Sequence, residues 1–489
     1  MSVDVIAILK RMAGTPNRIW VQGGATYGAL LAETGRMANA LQSLGLVQGD
    51  RLLVQVEKCE AVLSLYLACL RTGIVLLPVN PGYTTAETRH FLTDAEPALA
   101  LVDPDRLDAI RAMGTRAMAL PDFLALPASP DFADPDHAPD DLAAILYTSG
   151  TTGRSKGVML SRENLASNAE ALVGLWQFTE TDVLLHALPV FHTHGLFVAT
   201  NCALYAGASL IFQPAFAPDA VLAALPRATV MMGVPTFYTR LLSDPRLTRD
   251  ACAGIRLFIS GSAPLSPATH AEWQERTGHA ILERYGMTET NMLTSNPYAG
   301  ARRAGTVGMA LPGVEVRVTG PDGAEVAPGE AGAIEVRGPN VFQGYWRMPE
   351  QTAKEFRPGG WFVTGDMGAF DSQGYLSILG RAKDLVITGG LNVYPAEVEA
   401  ALDDLPGVAA SAVIGLPHPD FGEAVVACLV PAAGAVLDEA AVRAALRDRL
   451  AAFKIPKRVL VMAEFPRNAM GKVQKAELRK THAGLFSAS

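Results

Sequence analysis

A chain of 489 residues with 49% hydrophobic and 18% charged side chains is globular and too long for one core, so about three folding units, some of them merged, are expected. Its formal net charge of −8 argues against a nucleic-acid surface but leaves room for a local basic pocket around an anionic ligand. Cys59, Cys69, Cys202, Cys252 and Cys428 lie far apart without CxxC spacing, so neither a zinc site nor a disulfide framework is indicated and a reducing, cytoplasmic compartment is expected.

The N-terminal MSVDVIAILKRMAG lacks the basic start and sustained apolar core of a secretory signal. From Ala29 to Gly45 the spacing predicts a helix, and RLLVQV after it predicts a strand. The most hydrophobic window, 61–79, is interrupted by Arg71 and Gly73. It reads as a buried helix, a glycine cap and a buried strand, so no membrane span is expected. Alternation of this kind means α/β layers. The polar, Pro-rich stretch 127–141 is expected to cross the surface.

Residues 145–161, ILYTSGTTGRSKGVMLS, then break an apolar run with glycines, hydroxyls and Lys156. Glycines let backbone N–H groups approach an anion, hydroxyls add donors, and lysine adds a mobile positive charge, so the loop suits phosphate. The spacing is not that of a Walker A loop, because Lys156 is followed by Gly157 and a short strand, Val158 to Leu160. A solvated hairpin is the plainer alternative.

Beyond the loop, Ser161 is placed to cap a helix with Leu165, Ala169 and Leu172 on its apolar face, and strands recur near 183, 209, 229 and 256. Around 300–345 the texture changes to short strands with a PDG hairpin, which predicts a small β subdomain. After GRAKD at 380–384 come a strand, a helix from Pro395, strands around 411 and 424, a helix from 438 and a strand at 458–462. The expected fold is α/β: a large multi-layered N-terminal domain, 1–380, containing the β subdomain, and a small mobile α+β domain, 381–489, joined by a short hinge.

YTSGTTGRSKG, RYGMTE (284–289), TGD (364–366), GRAKD and PRNAMGK (466–472) occur in one order along nearly the whole chain. Together they resemble the acyl-adenylate-forming superfamily, which includes acyl-CoA synthetases, luciferases and adenylation domains of peptide synthetases. The resemblance implies that a carboxylate attacks the α-phosphate of ATP to give acyl-AMP and pyrophosphate. By that likeness Thr148, Ser149, Gly150, Thr151, Thr152, Gly153 and Lys156 cradle the triphosphate. Tyr285 stacks on adenine, Thr288 contacts phosphate, and Glu289 helps hold Mg²⁺. Asp366 and Arg381 hold the ribose, and Lys472 is the catalytic lysine that bridges carboxylate and α-phosphate. Rotation about Lys383 then removes Lys472 and brings in Gly389, Gly390 and Leu391 to pass the pantetheine arm of CoA. Phe453 and Lys457 match CoA-nucleotide contacts, whereas Ile455 stands where relatives often have arginine.

FHTHGLF, SGSAPL and ERYGMTETN are expected to wall the acyl pocket. His192 and His194 have no third partner for a metal, and His192 reads as pocket lining. Arg284 has two readings: inward, where its fork needs a second carboxylate, or outward, paired with Glu283. The longer stretches VFHTHGLF, FISGSAPL, LERYGMTETNM and GLNVYPAEVE resemble the malonate-activating acyl-CoA synthetases. That likeness puts Arg284 and Ser262 on a distal carboxylate with His192 beside them. It implies malonate, ATP and CoA as small-molecule partners, with no nucleic acid and no membrane. Methylmalonate or a short monocarboxylic acid, a carrier-charging adenylation domain, and a silent binding protein are the alternatives.

Overall fold

The computed structural model describes residues 2–15, 17–148, 155–389, 391–447, 449–468 and 471–486. Two seven-stranded sheets form its larger part. In the first, the parallel strands Leu142–Thr148, Val75–Pro78, Arg51–Gln55, Leu99–Val102 and Ala117–Ala119 lie side by side. Lys156–Ser161 folds back antiparallel to Leu142–Thr148, and Gly344–Tyr345 pairs beyond it. In the second, Leu282–Met287, Leu257–Ser260, Val230–Gly233, Val183–His186 and Ser209–Phe212 are parallel, with Asn291–Ser295 antiparallel at one side.

The 61–79 window folds as its composition demands. Helix Glu60–Thr72 is buried from Val62 onward, Gly73 caps it at φ 73°, and Val75–Pro78 is buried along its length. A side chain at Gly73 would meet Gln48 and His137 within 3 Å, so glycine serves both the left-handed turn and the close approach. One hydrophobic cluster includes Leu52 and Leu76 of the first sheet and Leu184, Val230 and Leu257 of the second, together with the helices between them. A helix lying between two sheets is covered on every side, which is why this one has no polar face.

The β subdomain extends past the predicted 300–345: its five strands run from Glu315 to Arg381, while Gly344–Tyr345 joins the first sheet. The stretch 127–141 is held down as well as crossing the surface, since the Arg71 guanidinium bonds Asp134 and the Phe132 carbonyl. The last sheet contains Leu391–Val393, Val386–Thr388, Gly422–Pro431, Val408–His418 and Arg458–Val461, with helices Pro395–Asp403 and Glu439–Ala445 packed on it. Gly471, in the loop before the C-terminal helix Lys475–His482, lies 3.9 Å from Thr236 by way of the Cβ it lacks. That loop therefore leans over the larger part of the protein. Among the described residues no helix is long and apolar enough to cross a membrane.

Candidate active site

The hairpin register sets Thr148 opposite Lys156 on either side of the glycine-rich segment, whose Ser149, Gly150, Thr151, Thr152 and Gly153 lie outside the described residues. Lys156 Nζ is 3.3 Å from Glu355 Oε1 and 4.2 Å from the centre of the Tyr345 ring. The Tyr345 hydroxyl donates to Glu289 Oε1 at 3.1 Å. Pairing of Gly344–Tyr345 with the hairpin's second strand brings this ring between cation and carboxylate. Burial raises the pKa of Glu289 above the ordinary carboxylate value. Thr288, its neighbour, is half-buried.

A second group forms where Trp361–Phe370 pairs with Leu376–Arg381, a register that puts Asp366 opposite Arg381. Arg381 Nε lies 2.9 Å from Asp366 Oδ1, and the Tyr285 hydroxyl donates to Oδ2 of the same carboxylate. Burial raises the Asp366 pKa, against the pull of Arg381, the Tyr285 bond and Lys472. The result is one buried carboxylate beside an aromatic ring, an arrangement that presents an acceptor for hydroxyls next to a flat apolar face.

Arg284 follows the inward reading. It is only 3% exposed, and its Nε and Nη2 have no protein partner. Glu283 has no bond to Arg284; burial pushes its carboxyl up to about 8, against the lowering influence of the Gly305 and Leu265 backbone. The guanidinium lies over Gly261, where an added Cβ would come within 2.4 Å of Arg284 Cζ. Burial lowers Arg284 to about 9, so it remains a cation at neutral pH. Next to Gly261, Ser262 adopts φ 69°, uncommon for a residue with a side chain, and its Oγ sits 3.4 Å from His194 Nδ1.

The His192 ring is neutral, since burial, Lys472 and Arg284 lower it to about 3. His194, expected only as part of the pocket wall, meets Ser262 directly. It is 2% exposed, its Nε2 has no protein partner, and Arg284 acts on it electrostatically. FHTHGLF contained both histidines; only the turn into the π-helical segment His194–Ala199 decides which ring meets Ser262. Tyr345 and Glu355 also escaped notice, because nothing local to their sequence announces partners 56 and 199 positions away.

Lys472 joins the groups. Its amide donates to Asn468 Oδ1 at 3.0 Å, and its carbonyl accepts from the Asn468 amide at 2.9 Å, so the loop presents the side chain on a fixed base. The ammonium is solvent-accessible yet stands in a cleft crowded enough to lower its pKa. Arg381 and Arg284 push it further down, while Asp366 and Glu289 oppose them. One lysine thus feels both the Asp366 group and the Arg284 compartment.

Lys383 is exposed in the turn Ala382–Asp384, and Asp384 Oδ1 lies 2.8 Å from Arg479 on the last helix. Gly389, at φ 58°, donates to the Phe421 carbonyl, and Lys457 Nζ lies 4.5 Å from the centre of the Phe421 ring. Phe453 packs with Ile455 against the small domain's core, and Gly390 is outside the described residues.

A family model for the AMP-binding enzymes matches residues 9–346, and one for their C-terminal domain matches 397–472. Feruloyl-CoA synthase of Amycolatopsis sp is 36% identical, over 96% of this chain and 97% of its own. Malonate–CoA ligase of Arabidopsis thaliana is 35% identical, over 91% of this chain and 80% of its own. The crystal structure of ATP-bound MatB from Rhodopseudomonas palustris superposes with a TM-score of 0.95 at 53% identity, covering 99% of this chain and all of that one. Apo MatB from the same organism, at 54% identity with full coverage of both chains, gives 0.85.

Proposed function

The chain belongs to the AMP-binding enzyme family, and on that premise we propose that it is an ATP-dependent malonyl-CoA synthetase: malonate + ATP + CoA → malonyl-CoA + AMP + diphosphate, through malonyl-AMP. The observation that carries the choice of acid is the unpaired Nε and Nη2 edge of Arg284. A buried guanidinium without a partner costs several kcal/mol, and this edge matches a planar carboxylate with two parallel N–H···O bonds. An alkyl tail would leave the charge unsatisfied. A second carboxylate removes the cost, with Ser262 Oγ and a neutral imidazole from His192 or His194 completing the pocket.

The other end of malonate then points to Lys472. A carboxylate is a poor electrophile and needs a leaving group, which the α-phosphate of ATP supplies as AMP. Lys472 holds the attacking carboxylate and the α-phosphate together and offsets the charge that builds up between them. The glycine-rich segment with Thr148 and Lys156 takes the outer phosphates. Asp366 accepts from the ribose hydroxyls, with Arg381 alongside, while Tyr285 stacks on adenine and Thr288 contacts phosphate. Glu289 fits Mg²⁺, since its buried carboxylate is a hard oxygen ligand with one oxygen already oriented by Tyr345. The ion would neutralise phosphate charge.

For the thioester step, domain 381–489 rotates on domain 1–380 about Lys383. The rotation withdraws Lys472 and brings in Gly389 and Gly390, with Phe453 and Lys457 toward the CoA nucleotide. The test is CoA-dependent AMP release across malonate, methylmalonate, sulfoacetate, butyrate and acetate. Malonate should give the highest kcat/KM, with methylmalonate, which keeps the distal carboxylate, next. Preference for a monocarboxylic acid would overturn the reading, and activity with an acylated carrier protein but not CoA would move the protein to the carrier-charging class.

A further inference from the structure

Behind the acyl pocket lies a lysine that the activity does not use. Lys58, between strand Arg51–Gln55 and helix Glu60–Thr72, directs Nζ at three acceptors: the Gln213 carbonyl at 2.6 Å, the His186 carbonyl at 2.7 Å and His186 Nδ1 at 3.1 Å. The ammonium also lies 4.3 Å from the centre of the Phe212 ring. An ammonium only donates, so His186 Nδ1 must accept and the ring hydrogen must sit on Nε2. That nitrogen is 2.9 Å from the Gly195 carbonyl and donates to it; Thr200 Oγ1 donates to the same oxygen at 3.0 Å. Gly195 adjoins His194, whose ring meets Ser262 and feels Arg284. Gly195 is itself jammed against the Pro189 carbonyl, with no room for a Cβ, so the segment has a single seat.

We propose that Lys58 is a positioning residue of the acyl pocket: by fixing the tautomer and orientation of His186 it holds Gly195, and so the His194 ring, in the place where the acid's distal carboxylate is read. This rests on the reading of the Arg284 compartment as the acyl pocket. Burial pushes the Lys58 ammonium down to about 7, and its three acceptors favour the charged form. His186 is neutral, since burial and Lys58 lower it to about 3.

Two measurements test this. In the wild type at pH 6.5, ¹⁵N NMR of the histidine rings, with His186 identified by its loss in His186→Gln, should show the Nε2–H tautomer. An Nδ1–H or doubly protonated ring overturns the proposal, whatever any variant does. In Lys58→Met, the KM for malonate should rise about 10- to 50-fold while the KM for ATP stays within about threefold. An unchanged malonate KM, or equal rises for both substrates, overturns it too, because loosening of the whole fold would move both. If the wild type prefers another acid, the reading of the pocket falls instead, and the same KM comparison with that acid still decides the role of Lys58.

Discussion

Gly261 gives Arg284 its place: the guanidinium occupies the space a side chain at 261 would take, with Cζ and Nη1 each 2.4 Å from the missing Cβ. Gly261 does not have a positive φ, so alanine there is acceptable to the backbone and its effect is purely spatial. Gly261→Ala should fold normally and push the fork out of line by roughly an ångström, a displacement worth on the order of 100-fold in rate. The kcat/KM for malonate should fall by about that factor with the KM for ATP unchanged; an unaffected malonate rate would mean that the fork is not the recognition element.

Lys472 is a charged group of the small domain that feels both the Asp366 and the Arg284 sides of the cleft. Lys472→Ala should nearly abolish adenylation, measured as malonate-dependent exchange of pyrophosphate into ATP, while preformed malonyl-AMP is still converted by CoA. The two half-reactions separate because the ammonium is needed only while charge builds up at the α-phosphate. Equal loss in both would point to a folding defect or a different role.

Most of the fold was legible where local chemistry decides it. Gly73 ending a buried helix, the Ser161 cap, and the turn at Gly323 after Pro321 and Asp322 are read directly from residue type. The order of strands was not, because which strand lies beside which depends on contacts hundreds of residues apart; hence one two-residue strand, Gly344–Tyr345, went to the first sheet and not to the β subdomain. The site follows the same division. Arg284 stands out in the sequence because it adjoins Tyr285, yet whether it faces in or out is decided only by its burial in the folded chain. The contact of His194 with Ser262 and the place of Lys58 were invisible, since their meaning lies in what the fold sets beside them.

Glu283 offers a pH test of the orientation of this strand. Its folded pKa, about 8, stands above the ordinary 4.5, so the folded protein holds a proton the unfolded chain has released. The stabilisation is full below the unfolded value and is lost as pH rises toward 8. Glu283→Gln should therefore flatten the decline in stability between pH 5.5 and 8 by roughly 1–3 kcal/mol, read from urea midpoints at the two pH values. Parallel declines in both proteins would place Glu283 in water and reopen the outward pairing with Arg284.

The most direct measurement is kcat/KM for malonate and for butyrate on the wild type and on Arg284→Leu, with the KM for ATP as the control for an intact nucleotide site. Malonate's distal carboxylate stays ionised in the pocket, and without its partner it is desolvated and unpaired, a cost of about 3–5 kcal/mol. Malonate should lose on the order of 100- to 1,000-fold or more, whereas butyrate should lose far less and even gain, since the guanidinium it had to tolerate is gone. Equal losses for the two acids would contradict the assignment and remove Arg284 from acid recognition.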